Sequence, residues 1–257
     1  MTWRSIILLT TVSFILSGAS VCAAPQGQHQ QSRSITAEDI KRIITKGSVE
    51  NLSYLLDHGI DANLKIQGDM PLLLMAAYSG RLEMVHTLLQ HGADPNIEQS
   101  PGITALSIAA ATNNVHMLDL LLSHGADKNH RADAGDTVLM LACAQNSLDV
   151  IQVLLAHKTD PNIADHNGVT PLLYAIARSN APDIISRMLL EHGADPNAAM
   201  KDGTTPLIAA AMRNNLPCTN LLLSYGASVG TRNIEGKNAL DYAHDAELKS
   251  LLKTAGQ

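Results

Sequence analysis

The residues best suited to chemistry are the His, Asp and Asn of the hexamer HGADPN, at 91–96 and again at 192–197. A histidine close to a carboxylate can act as a general base or help to hold a metal. This cluster, however, is repeated: HGIDAN begins at 58, HGADKN at 124, HKTDPN at 157 and a worn YGASVG at 225, in steps of 33, 33, 33, 35 and 33 residues. A catalytic constellation occurs once in a fold, whereas a fixed period of about 20 to 50 residues marks stacked structural units. Nor can His58, His91, His124, His157 and His192 share a zinc. Helices pack about 8 to 10 Å apart, and two ligands on bonds of about 2.0 to 2.1 Å must nearly touch. The histidines are therefore expected to bond backbone at helix ends. Asp94, Asp127, Asp160 and Asp195 look like turn residues, and Asn96, Asn129, Asn162 and Asn197 tolerate left-handed backbone. The sequence contains no HExxH, GxSxG, phosphate-loop or CxxC motif, so no catalytic residue, metal or cofactor is expected.

The elements between the hexamers explain the period. GITALSIAA (102–110), GDTVLMLAC (135–143), GVTPLLYAI (168–176) and GTTPLIAAA (203–211) are each followed by a short polar turn and a Leu-Leu run, which predicts two short amphipathic helices per unit. Thr104, Thr137, Thr170 and Thr205 stand as N-caps, with Pro171 and Pro206 at the first helical position. The Gly of each hexamer should close the second helix in left-handed geometry. Lys158 replaces that Gly and is expected to bear the strain, about 1 kcal/mol or more. Ala pairs such as Ala76–Ala77 and Ala109–Ala110 let helices approach closely. Residues 35–66 lack a TPL-like segment, but TAED at 36–39 reads as a capping box and GSVENLSYLLDHG aligns with GRLEMVHTLLQHG, making this a first, capping unit. Pro71 takes the Thr position in the second unit, and Ala181 and Pro182 lengthen the turn of the fifth. The charged segment GKNALDYAHDAELKSLLKTAGQ reads as a terminal cap.

These motifs resemble the ankyrin repeat family, whose unit is a turn plus two helices with a T-P-L-H-x-A signature. The resemblance covers about residues 35 to 257. It implies an all-α ankyrin-repeat solenoid of about seven helix-turn-helix units with projecting β-hairpin-like fingers: a capping repeat 35–66, internal repeats 67–231 and a C-terminal cap 232–257. It further implies that a partner protein binds the finger tips and the concave face of the first helices.

The first 24 residues are of another kind. Arg4, an apolar run from Ile6 to Leu16 and the small residues of VCAA have the layout of a secretory signal peptide, with cleavage near Ala23 or Ala24 or, alternatively, retention as an anchor. Residues 25–34 read as a polar linker. A periplasmic or secreted protein is expected, without stable membrane insertion after cleavage. The Trp and the Phe, Trp3 and Phe14, both lie in the leader, so the core must be built from Leu, Ile, Val, Ala and Met. Cys143 and Cys218 lie two repeats apart, beyond the roughly 7 Å that a disulfide spans. Both are expected to be packed thiols, although Cys218, near a helix start, could be reactive. A formal charge of −6 provides no basic footprint for nucleic acid.

What varies between repeats should carry specificity. The family's contact positions fall on Tyr78, Thr112, Gln145, Arg178 and Arg213 at the ends of the first helices, and on Ile66, Ile103 and His166 in the fingers. Ile66, Ile103 and Tyr78 are expected to be exposed anchors, and Arg178 and Arg213 to meet acidic groups. The function expected is a non-enzymatic, monomeric binding module in the cell envelope, a scaffold or support for an envelope enzyme. The alternatives are an immunity protein that occludes a secreted toxin such as a lipase, and an effector binding a host protein.

Overall fold

The computed structural model describes residues 35–66, 68–99, 102–178 and 182–256. The leader at 1–24, the linker at 25–34 and the inserted Ala181 lie outside the described residues. Two compact units are present, one up to Gln99 and one from Ser100 onward.

In the first unit, α1 (Ala37–Lys46) and α2 (Val49–Asp57) form the finger-less first pair, and α3 (Leu72–Tyr78) and α4 (Leu82–Gln90) the second. The expected capping box opens α1: the Thr36 hydroxyl accepts from the Asp39 N–H while the Asp39 carboxylate accepts from the Thr36 N–H. Between the pairs stands a finger, β1 (Lys65–Ile66) against β2 (Met70–Pro71), antiparallel. Pro71 caps α3 through backbone alone, with no side-chain hydrogen bond. The first helices pack together, α1 on α3, as do the second helices, α2 on α4.

The second unit continues the scheme with five pairs: α5 (Ala105–Ala111) and α6 (Val115–Ser123), α7 (Val138–Gln145) and α8 (Leu148–Ala156), α9 (Pro171–Arg178) and α10 (Pro182–Glu191), α11 (Pro206–Met212) and α12 (Leu216–Ser224), then α13 (Ala239–Tyr242) and α14 (Ala246–Ala255). Together the units hold the expected seven pairs. Thr104, Thr137 and Thr205 cap their helices through the hydroxyl, and Leu173 N–H donates to the Thr170 hydroxyl. In α11 every residue from Pro206 to Ala211 is buried, so small Ala side chains set how closely neighbours approach.

The hexamers are joints between repeats. The His Nδ1–H of His58, His91, His124 and His192 donates to the carbonyl four residues back, at 2.7, 2.8, 2.9 and 2.8 Å, which ties the ring to the last turn of the helix. Each Asp forms an Asx turn, the Asp94, Asp127, Asp160 and Asp195 carboxylates accepting from the Asn two residues on at 2.8–2.9 Å. The Asn residues do not use the left-handed backbone that they tolerate. Asn63, Asn129, Asn162 and Asn197 instead bridge to the hexamer that follows. Asn162 accepts from Asp195 N–H at 2.7 Å and donates to the Gly193 carbonyl at 2.9 Å, and Asn63 and Asn197 do the same one repeat further on. Left-handed asparagines lie elsewhere, at Asn113, Asn146 and Asn214 between paired helices. Lys158 does take the left-handed position, with φ 60°.

In the second unit successive fingers also join through backbone. The residue before the finger Gly accepts from the next finger: Ala134 from His166 N–H (3.1 Å), Asn167 from Lys201 N–H (2.9 Å) and Asp202 from Ile234 N–H (2.9 Å). The finger glycines permit this approach. A Cβ on Gly203 would lie 2.8 Å from Asn233 Cα, and one on Gly168 3.0 Å from Met200 Cα, both at positive φ.

Candidate protein-docking site

The residues left for function are those that neither the core nor the joints consume. At the ends of five first helices, α3, α5, α7, α9 and α11, one register position is occupied by Tyr78, Ala111, Ala144, Ala177 and Met212. Tyr78 is 51 % and Met212 52 % exposed. Large apolar side chains in water at a repeat position that elsewhere holds Ala are not needed for packing, which makes them candidates for anchors.

The neighbouring positions differ in what they can offer. Thr112 is exposed, but its hydroxyl donates to the Ile108 carbonyl at 2.9 Å. Gln145 is exposed at the end of α7. Arg213 is exposed, yet its Nη1 donates to the Ala177 carbonyl of the preceding repeat at 2.9 Å, so part of its guanidinium already serves the fold. Arg178 ends α9, and its side chain lies outside what is described. In the fingers His166 is exposed and Ile103 half-buried. Ile66 corrects the expectation of an exposed anchor. It is 7 % exposed, because side chains alternate along a strand and β1 turns Lys65 outward and Ile66 inward.

One group was not foreseen. The Tyr174 hydroxyl, on α9, donates to the Asp136 carboxylate at 2.9 Å and lies 3.4 Å from that of Asp165. Tyr242 plays a related part in the last finger, its hydroxyl accepting from Asn233 Nδ2 at 2.8 Å. The signal was present in sequence, since Tyr174 and Asp165, like Tyr242 and Asn233, are nine residues apart.

Reactive chemistry finds no support at the thiols. Burial pushes the Cys143 thiol far up, and pushes Cys218 up to about 11 against a weak contact with the Ser186 hydroxyl. The helix start does not activate Cys218, because the side chain is fully buried and desolvation disfavours the thiolate. His91 is raised above its ordinary value, first by the bond to the Thr87 carbonyl and then by Asp57, whose carboxylate is 3.1 Å from Nε2. With Nδ1–H already given to Thr87, the bond to Asp57 needs the imidazolium. Among the described residues no group of three or more His, Cys, Asp or Glu could hold a metal ion. None of their helices is long and apolar enough to cross a membrane.

Comparison with known proteins agrees with this architecture. The family profile "Ankyrin repeats (3 copies)" matches residues 40–99, 73–165, 106–200 and 172–254. The ankyrin repeat domain of Bcl-3, of the IkappaB family, is 25 % identical, with a TM-score of 0.77 over 83 % of this chain and 97 % of that one. The human ASB11 ankyrin repeat domain is 26 % identical, with a TM-score of 0.64 over 84 % and 96 %. An ankyrin repeat domain from Acinetobacter baumannii AYE is 27 % identical, with a TM-score of 0.70 over 74 % and 98 %. No match is found among curated proteins. With matches that run from the first described pair of helices to the last, the chain belongs to the ankyrin repeat family.

Proposed function

We propose that this protein is an exported, non-enzymatic binding module of the cell envelope, monomeric when alone, which holds one partner protein on the outward ends of its first helices and on its fingers. Ankyrin repeats are protein interaction modules, and the finer reading rests on where this chain departs from its own repeat. Tyr78 and Met212 stand about half exposed at a position that Ala fills in three other repeats, at 111, 144 and 177. Export rests on the leader-like segment with Arg4, the apolar run Ile6–Leu16 and VCAA. Absence of catalysis rests on the repeat-wide use of His, Asp and Asn as structural joints, and on thiols held protonated by burial.

The test is capture from an envelope extract by the chain without its leader, beside a Tyr78→Ala/Met212→Ala variant with an unchanged circular dichroism spectrum. One protein retained by the parent and lost with the variant supports the reading, and its identity separates a scaffold from a toxin inhibitor. Equal capture by both moves the contact to another surface. Recovery of the chain in the culture medium, with no envelope protein bound, favours the host-directed alternative.

A further inference from the structure

Along the second unit one position at the ends of α5, α7, α9 and α11 runs Ala111, Ala144, Ala177 and then Met212. The helices that carry the last two, α9 and α11, pack against each other, and packed helices lie about 8 to 10 Å apart. Ala177 is exposed, and so is Met212. A methyl group beside a long thioether makes a step in the surface. At the two junctions before this one Ala follows Ala, and the surface has no such step there. An apolar side chain set down on Ala177 can lie against Met212, whose unbranched chain adapts to the shape it meets.

The step also carries a fixed cation. Arg213 Nη1 donates to the Ala177 carbonyl at 2.9 Å, one of the last carbonyls of α9, which have no N–H partner within their own helix. The bond crosses from one repeat to the next and ties the guanidinium to the residue that forms the low side of the step. A guanidinium has five N–H groups, so most of its donors are left over. Among the described residues Arg213 takes part in no ion pair. Asp183, in the first turn of α10, is not paired with it, and the Asp245 carboxylate is occupied at the start of α14, accepting from the Glu247 and Leu248 N–H groups at 2.8 and 3.3 Å. In α5 and α7 the register of Arg213 holds Thr112, whose hydroxyl is turned back on Ile108, and Gln145, which is uncharged. Apolar step and charge thus coincide at the α9–α11 junction. A planar fork already held by one N–H loses little freedom on taking a second acceptor, and the acceptor that matches its shape and charge is a carboxylate.

We infer that the junction of α9 and α11 takes an acidic segment of the partner protein, an Asp or Glu meeting Arg213 while an aliphatic or aromatic side chain beside it rests on Ala177 against Met212. The inference rests on the docking function proposed above and supplies the chemistry of the partner at one point. The partner segment gains twice: its apolar group leaves water together with part of Met212, and its carboxylate meets a guanidinium that is already oriented.

The experiment is selection of a displayed library of short random peptides on the immobilised chain without its leader, beside the same selection on Arg213→Gln, followed by titration of one peptide enriched on the parent alone. That peptide should carry an Asp or Glu next to an aliphatic or aromatic residue. Arg213→Gln, which removes the charge, should weaken it about tenfold. Ala177→Met, which levels the step and leaves Arg213 in place, should weaken it about tenfold as well. Both positions are exposed, and an unchanged unfolding midpoint shows that the fold is intact. Replacing the acid of the peptide by its amide should cost about tenfold on the parent and nothing more on Arg213→Gln, a coupling that isolates the one contact. Three results overturn the inference: no peptide enriched on the parent alone, enriched peptides without the acidic and apolar pair, or a peptide bound equally by the parent and by a folded Ala177→Met chain. A peptide lost with Tyr78→Ala and still held by Ala177→Met also overturns it, and leaves the docking reading standing on the first unit. That reading itself falls only with the envelope capture.

Discussion

The internal fingers of the second unit and its last finger share one backbone shape but are held differently. Fingers such as 198–205 are pinned from outside, by the neighbour's N–H on the carbonyl before the finger Gly and by close backbone contact at the Gly itself. Among the described residues no finger follows the last one, and nothing lies within 4 Å of a Cβ built on Gly236. It is held by its own side chains. Asn233 Oδ1 accepts from the Glu235 and Lys237 N–H groups, Lys237 pairs with Glu235 at 2.9 Å, and Tyr242 braces Asn233 and Glu235. The mutual attraction holds Glu235 below and Lys237 above their ordinary ranges, through the hydrogen bond first and the charge second. A repeat array therefore fixes its interior through neighbours and must build local replacements where neighbours stop.

The sharpest way to break this comparison is a single methyl group. Gly203 and Gly236 have nearly the same positive φ, 80° and 74°, so the backbone strain of Ala is alike at both, about 1 to 2 kcal/mol. Gly203→Ala additionally drives a Cβ to 2.8 Å from Asn233 Cα and should lose about 3 kcal/mol or more in urea unfolding. Gly236→Ala should lose only the strain. Equal losses would show that the internal fingers do not depend on their neighbours.

A smaller effect tests the other side. Asn233→Ala removes two backbone acceptor contacts and the bond to Tyr242, and should cost about 1 to 2 kcal/mol because water replaces part of what is lost. Proteolysis should then begin in the last finger rather than at 198–205.

Lys158 isolates a purely local strain. Its φ of 60° occupies the position that Gly fills in the sister hexamers, and Lys158→Gly should raise stability by about 0.5 to 1 kcal/mol, read as a higher unfolding midpoint. A midpoint unchanged or lowered would mean that the Lys side chain contributes more than the strain takes away.

The smallest effect concerns a contact between repeats in the first unit. His91 bonds Thr87 and Asp57 as an imidazolium, so its folded value is raised above 6.5. The stabilisation is fully present below that unfolded value and is lost as pH rises through the folded one. Asp57→Asn removes the second cause and leaves the first, the Thr87 bond, so it should reduce this part of the stability profile and leave the unfolding midpoint at high pH unchanged.

Much of this was legible in the one-dimensional pattern. Thr at 104, 137 and 205 marks helix starts whatever the surroundings, and the left-handed residue after each second helix could be placed, including Lys158, because both follow from backbone hydrogen bonds within a few residues. Ile66 was misread because apolar character alone does not tell which side of a two-residue strand faces inward. The role of the hexamer asparagines was out of reach for a related reason. Local propensity shows only that they tolerate left-handed backbone, whereas their amides bridge two loops about thirty positions apart, and that partner exists only once the repeats are stacked.

The sequence by itself determined the period, the seven pairs of helices, their caps and the structural use of His and Asp, since each depends on contacts inside one repeat that recur with it. Tertiary structure alone decided which outward residues are free and which are already bound. Arg213 is tied to Ala177, Ile66 is turned inward, Cys218 is buried, and Asp136 and Asp165 are brought together on Tyr174. The reason is physical: exposure, desolvation and charge pairing depend on distances between repeats, which a linear pattern does not contain.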